Sequence, residues 1–179
     1  MLTFSRSYVS FPSQTNTDMM LGKLKVSELL FEVPRDYSNP ERGTLQLFGR
    51  SVSKYEKPAA ALSDDDSRKK SHKPWMLYLQ GGPGIGCPPP QDFPMTKFIL
   101  DKGYQMLYLD QRGTGLSTPV SAGTLVLQGD VHRQADYLKL FRADSIVKDC
   151  EAVRKTLTED YPSELKKWLE CSLLFLFCE

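Results

Sequence analysis

Two glycine-bearing segments hold the residues of this chain best suited to chemistry. The first, Gln80-Gly81-Gly82-Pro83-Gly84, follows the unbroken apolar run Trp75-Met76-Leu77-Tyr78-Leu79. The second, Asp110-Gln111-Arg112-Gly113-Thr114-Gly115-Leu116-Ser117, follows Tyr104 to Leu109. Glycines at the end of a buried strand let the main chain approach a ligand closely and offer backbone amides at the carboxyl edge of a parallel sheet, where ligands bind in open α/β folds. In acyl transfer such amides stabilise the oxyanion of the tetrahedral intermediate, and losing one donor costs about 3 to 4 kcal/mol. From the loop alone, a tight turn with no ligand accounts for the glycines equally well. Phosphate binding fits less well, because neither glycine segment gives G-x-G-x-x-G and no G-K-[ST] follows.

Acyl transfer also needs a nucleophile and a base. No G-x-S-x-G occurs in the chain. Ser51 has Gly49 before it and Ser53 after it, but it lies in an early hairpin that leads into a polar loop, so it reads as a decoy. His72 falls in a charged loop and His132 ahead of the longest helix; both read as surface histidines. Cys87, Cys150, Cys171 and Cys178 form no C-x-x-C pair, which favours reduced thiols over a metal cluster or a disulfide framework. Asp64-Asp65-Asp66, next to Arg68-Lys69-Lys70, reads as a solvated loop rather than a metal site.

The elements that must position the glycine loops follow from periodicity. Leu24 to Val33 suits a strand with one interruption in its alternation, and Thr44 to Val52 alternates through Leu45 and Leu47. The turn formers from Pro34 to Gly43 separate them, so an antiparallel pair is expected. Trp75 to Leu79 and Tyr104 to Leu109 have the pattern of strands covered on both faces. Between them, Met95, Phe98 and Ile99 stand at helical spacing before Gly103, which makes a βαβ unit. The clearest helix runs from Asp144 to about Thr158, with Ile146, Cys150, Val153 and Leu157 on one face, Asp144 placed to cap its first turn, and Tyr161-Pro162 closing it. Ser117 to Phe141 shows no clear pattern.

Tyr78-Leu79-Gln80-Gly81-Gly82-Pro83-Gly84 followed by Tyr108-Leu109-Asp110-Gln111-Arg112-Gly113-Thr114-Gly115-Leu116-Ser117 resembles the paired signature of proline iminopeptidases. The resemblance runs from about Leu24 to Trp168, and Val33-Pro34 with Asp36-Tyr37 is similar to the hairpin that opens those proteins. It implies an α/β fold: a truncated α/β-hydrolase in which an N-terminal antiparallel hairpin leads into a mostly parallel sheet with flanking helices. It also implies a serine peptidase that releases N-terminal proline from peptides through an acyl-enzyme, with no cofactor. The Gly81 and Gly82 amides would serve the oxyanion, with Pro83 and Gly84 completing the loop. Gln80 stands where the family usually has histidine; its amide can orient the loop but cannot become a cation. Asp110, Gln111, Arg112, Gly113, Gly115 and Ser117 would form a structural turn beside the site. Other α/β-hydrolases, such as esterases or epoxide hydrolases, share the Asp-x-x-Gly-x-Gly-x-Ser turn; Gly-Gly-Pro-Gly with Gln111-Arg112 favours the peptidase.

The family mechanism needs a serine on a strand-to-helix elbow, then an aspartate, then a histidine. None is identifiable. The elbow is expected after a strand beginning near Lys166-Lys167-Trp168, yet the sequence continues as an apolar run from Leu169. The expectation is therefore an N-terminal extension at 1–23, the first portion of a hydrolase domain at 24–168 with a polar loop at 54–73, and an aberrant apolar tail at 169–179. A truncated, non-catalytic fragment or partner-binding remnant is the competing reading.

With 40% hydrophobic and 25% charged residues and a net charge of +1, the composition is that of a globular protein without bias toward nucleic acid or anionic membrane. Met1 to Met20 lacks the continuous apolar core of a secretory signal, though its scarcity of acids leaves a transit peptide open, and no stretch reaches about 18 apolar residues. A cytoplasmic location is expected, with a peptide bearing N-terminal proline as partner; the oligomeric state is not encoded in any pattern here.

Overall fold

The structure is a computed structural model that describes residues 13–14, 19–21, 23–55, 72–81 and 84–172. Most of the charged loop, Gly82, Pro83 and the last seven residues lie outside the described residues.

The expected hairpin forms from β3 (Leu24–Pro34) and β4 (Thr44–Lys54), paired antiparallel along their whole length from Leu24 opposite Lys54 to Pro34 opposite Thr44. Its turn is closed locally. Asp36 accepts hydrogen bonds from the Ser38 amide and the Asn39 side chain, each at 2.8 Å, and Arg35 N–H donates to the Gly43 carbonyl at 3.0 Å. Two short strands, β1 (Ser13–Gln14) and β2 (Met19–Leu21), both pair antiparallel with β3. β5 (Trp75–Leu79), α1 (Pro94–Asp101) and β6 (Gln105–Leu109) make the βαβ unit, with β5 and β6 parallel and adjacent. β6 joins the hairpin by pairing antiparallel with β4, Gly49 opposite Leu109. β7 (Trp168–Ser172) pairs parallel with β5, Leu79 opposite Ser172, so residues 169–172 extend the sheet rather than leave it. The order across the seven-stranded sheet is β1-β3-β4-β6-β5-β7, with β2 also on β3. A hairpin passing into parallel strands with flanking helices is the α/β-hydrolase layout expected from the sequence.

Residue parity divides the interior. Odd-numbered positions of the strands (Leu29, Phe31, Val33, Leu45, Leu47, Trp75, Leu77, Leu79, Leu107, Leu109) share one core with Ala152 and Val153 of α4 (Ala143–Leu157). Even-numbered positions (Leu24, Val26, Val52, Met76, Met106, Tyr108) share the other with Ile99 and Leu100 of α1. The two helices therefore cover opposite faces. The break in alternation within β3 now has a cause: Leu24 and Val26 serve one core, and Leu29, Phe31 and Val33 the other, because successive side chains of a strand point to opposite faces.

Helix faces differ from expectation. In α1 the buried residues are Thr96, Ile99 and Leu100, while Met95 and Phe98 face outward; Phe98 lies against the Lys102 ammonium at 5.5 Å. In α4 the buried residues are Ser145, Asp149, Ala152 and Val153, with Cys150 and Leu157 packed at the margin. The face is rotated because Asp149 is drawn inward by an arginine. Asp144 lies inside the first turn and makes no capping bond; Arg142 occupies the cap position. Gly103 ends the α1 segment as expected, left-handed at φ 86°.

Residues 117–141 hold two helices that apolar periodicity did not reveal. α2 (Ala122–Val126) starts in a reciprocal cap between Ser121 and Thr124, and α3 (Val131–Lys139) is capped by Asp130, which accepts from the amides of His132 and Arg133 at 3.0 Å. Neither helix contains a buried residue.

Candidate functional site

β5 and β6 are parallel neighbours with Leu79 opposite Leu109, so the loops that follow them leave the same sheet edge side by side. Asp110 is the first residue beyond β6 and only 3% exposed. One carboxylate oxygen accepts from the Cys87 amide at 2.6 Å and the other from the Leu116 amide at 2.8 Å. Its own amide donates to the Phe48 carbonyl at 2.9 Å, and its carbonyl accepts from the Ser117 hydroxyl at 2.6 Å. A carboxylate that accepts two backbone amides fixes both segments at once.

The packing around it is close. A Cβ on Gly115, which sits at φ 50°, would lie 2.1 Å from an Asp110 carboxylate oxygen, and a Cβ on Gly86 would lie 2.7 Å from the Gly115 main chain. Gly113 belongs to the same turn, its amide donating to the Ser117 carbonyl at 2.9 Å. The fully buried Ser117 hydroxyl also accepts from the Phe48 amide at 2.8 Å, and the Thr118 hydroxyl both accepts from the Gln46 amide and donates to its carbonyl, each at 3.0 Å. These two hydroxyls satisfy the stretch of β4 that projects past β6. Thr118 adopts φ 42°, unusual for a branched residue, and its two bonds to Gln46 offset that strain.

The first glycine segment is held from the second. Gln111 donates from its side-chain amide to the Gln80 carbonyl at 2.9 Å. The Gln80 side chain accepts from the Tyr78 hydroxyl at 2.9 Å, so the residue at the usual histidine position folds back onto β5. Gly81 is partly buried, Gly84 is left-handed at φ 98°, and Gly82 and Pro83 lie outside the described residues.

Arg112 is 2% exposed and has partners for all five of its N–H groups. It grips Asp149 with two bonds of 2.6 Å and donates to the carbonyls of Pro34, Arg35 and Leu140 at 3.1, 3.2 and 2.7 Å. Tyr37 adds a hydroxyl bond to Asp149 at 2.8 Å, its ring 5.3 Å from the guanidinium. Burial pushes the Asp149 carboxyl above its ordinary value, against the pull of Arg112 and Tyr37. Burial and the facing Asp149 push the Tyr37 phenol well above its ordinary range, so it remains a donor. One side chain thus ties the hairpin turn, the loop after β6 and α4 together.

Sequence reasoning named Arg112 but missed Asp149. The available signal was an acid at the centre of a helix, adjoining the apolar positions Cys150 and Val153, where solvent exposure would be unexpected.

The side chains considered as nucleophile or base do not converge. Ser51 sits mid-sheet opposite Leu107, its hydroxyl directed to the Ser27 carbonyl at 3.4 Å. His72 packs edge-on against Tyr161, and His132 is exposed at the start of α3. The Cys87 thiol is pushed up to about 11 by burial and points at the Leu109 carbonyl, 3.2 Å away. Among the described residues no three His, Cys, Asp or Glu side chains are grouped to hold a metal, and no helix is long and apolar enough to cross a membrane.

Proline iminopeptidase aneH of Aspergillus aculeatus is 52% identical to this chain over 147 residues, 82% of the chain. Over that stretch the chain belongs to the proline iminopeptidase family. A second proline iminopeptidase, from Aeromonas sobria, is 43% identical over 137 residues, 75% of the chain. The chain spans under a third of both proline iminopeptidases, 31% and 29% of their lengths. No family model matches. Among solved structures, a cold-adapted esterase from an Arctic intertidal metagenomic library aligns over 89% of this chain and 54% of its own, with a TM-score of 0.44 and 13% identity.

Proposed function

We propose that this chain forms the oxyanion side of a prolyl aminopeptidase-type serine hydrolase and is inactive by itself. The observation that carries the reading is the pairing of a glycine loop after β5 with the Asp110–Ser117 turn after β6, at one sheet edge, in a chain 52% identical to a protein named proline iminopeptidase. The complete reaction would release an N-terminal proline from a peptide. A serine would attack the proline carbonyl, and the Gly81 and Gly82 amides would receive the oxyanion. The C–N bond would break to release the shortened peptide as its amine, and water would hydrolyse the ester to free proline. The Asp110–Ser117 group would act as a structural turn beside that site.

Inactivity alone is supported by the lack of G-x-S-x-G and by the separate placements of Ser51, His72 and His132. The fully buried Ser117 hydroxyl is committed to two backbone partners, the Phe48 amide and the Asp110 carbonyl. These placements support the non-catalytic reading for the polypeptide by itself, and the family membership supports the hydrolase reading for an assembly that adds nucleophile, acid and base.

The test is hydrolysis of a fluorogenic proline amide by the purified chain and by a chimera in which residues 24–168 replace the matching stretch of the Aspergillus relative. Turnover by the chimera alone is the expected result. Turnover by the chain that survives substitution of every serine would overturn the mechanism, and a folded but inactive chimera would overturn the assignment of the loop.

A further inference from the structure

We propose that Gln111 is the positioning residue of the oxyanion loop, with Asp110 as its second anchor; the chemistry rests on the hydrolase reading above. The argument begins with the peptide plane. In a trans peptide the carbonyl of one residue and the N–H of the next lie in one plane and point in opposite directions, and the described residues contain no cis peptide. Gln111 donates to the Gln80 carbonyl at 2.9 Å. Holding that carbonyl fixes the direction in which the Gly81 N–H points, without touching the Gly81 amide or occupying the space in front of it.

The other end of the loop is held by the preceding residue. Asp110 accepts from the Cys87 amide at 2.6 Å. Consecutive residues at the end of β6 therefore grip both ends of the segment from Gln80 to Cys87. Gly81 and Gly84 have no side chains of their own to make restraining bonds, so anchors outside the loop matter to its geometry. A donor aimed in advance stabilises a developing negative charge without reorganising at the moment of reaction.

The same geometry explains why an amide suits position 111. Gln111 gives one side-chain N–H to the Gln80 carbonyl, and its main-chain carbonyl accepts from the Thr114 hydroxyl at 2.8 Å and the Thr114 amide at 3.0 Å. The side chain is thus aimed by a turn closed independently of the glycine loop. Glutamate has the same length but presents only acceptors when ionised, so Gln111→Glu sets a carboxylate against the Gln80 carbonyl. Gln111→Ala merely removes the bond. The order of the two variants separates aiming from bulk packing.

The experiment has two arms. On the chain itself, amide hydrogen exchange is measured for Gln111→Ala, Gln111→Glu and Asp110→Asn. In the chimera, kcat and KM for the fluorogenic proline amide are measured for the same variants. The expected result is exchange at Gly81 and Cys87 faster by about tenfold with the β6 amides unchanged, because loops open independently of the sheet. In the chimera kcat falls about tenfold for Gln111→Ala and further for Gln111→Glu, while KM stays within about twofold, since an oxyanion contact acts in the transition state. Unchanged exchange at both amides, or exchange that rises only in step with β6, overturns the brace. A loosened loop with unchanged kcat, or equal kcat losses for the two Gln111 variants, overturns its catalytic role. If the unsubstituted chimera is inactive, the hydrolase reading fails by itself and the exchange arm still decides the brace.

Discussion

The turn from Asp110 to Ser117 and the helical pair at 122–139 adjoin in sequence, yet they are held in place by different means. The turn has little regular structure, but Asp110, Arg112 and Ser117 are each no more than 3% exposed and bonded to β4, the hairpin turn, α4 or the loop before α1. The helices have regular structure and no buried residue, and Val126, Leu127 and Val131 are 69, 83 and 72% exposed. Their order comes from caps made within a few residues of chain. Regular secondary structure is therefore a poor guide to where this molecule is anchored. Stability should be concentrated in the irregular turn and thin in the helices beside it.

Substitution at the Arg112–Asp149 pair is the most severe way to challenge that contrast. Arg112→Met or Asp149→Leu leaves its partner as an uncompensated buried charge, and we expect each to lower unfolding free energy by about 3 to 5 kcal/mol in urea titrations. The double variant should cost less than the two singles combined, since neither charge then remains. Losses under about 1 kcal/mol for the singles would remove the turn's claim to be an anchor.

Ser117→Ala is the next step down. It leaves the buried Phe48 amide without its partner, and a loss of about 1 to 3 kcal/mol is expected by the same titration. The value tells whether the hydroxyls along β4 carry weight or simply fill space.

A pH titration reads the turn through Cys87, whose amide Asp110 holds. Its thiol is raised from 9.0 to about 11 by burial, so between those values the folded protein keeps a proton that the unfolded chain has released. The associated stability is fully present below pH 9 and is lost as pH rises toward about 11. Alkylation mapped by mass spectrometry at pH 8 should find Cys87 unreactive until the chain unfolds. Rapid labelling of the native protein would show the turn to be loose.

The smallest effect belongs to the helices. Leu127→Ser should change unfolding free energy by no more than about 0.5 kcal/mol, as surface substitutions usually do. A larger loss would mean that α2 is packed against something, and the contrast between the regions would weaken.

How much of this was legible depended on whether the signal was local. β5 and β6 announce themselves as unbroken apolar runs, and Gly103 marks a helix end by its own conformational preference. Which face of α1 or α4 turns inward is a tertiary matter: Met95 and Phe98 satisfy helical spacing but face outward, and Asp149 is buried only because Arg112, 37 residues away, supplies its counter-charge. The caps of α2 and α3 were available at Ser121, Thr124 and Asp130, but without an apolar stripe they gave no periodicity to follow. The glycine segments were legible as candidates because glycine is informative about close approach. Their joining through Gln111 and Asp110 depends on strand order, which no spacing within either motif encodes.

Residue parity has a further consequence for how this stretch of gene can change length. Odd positions of β5 and β6 meet α4 and even positions meet α1, so inserting one codon within either strand would exchange the complements of the two cores beyond the insertion. Two codons would restore the assignment. Viable length variants should therefore accumulate in the connections, while within the strands they should appear only as paired codons.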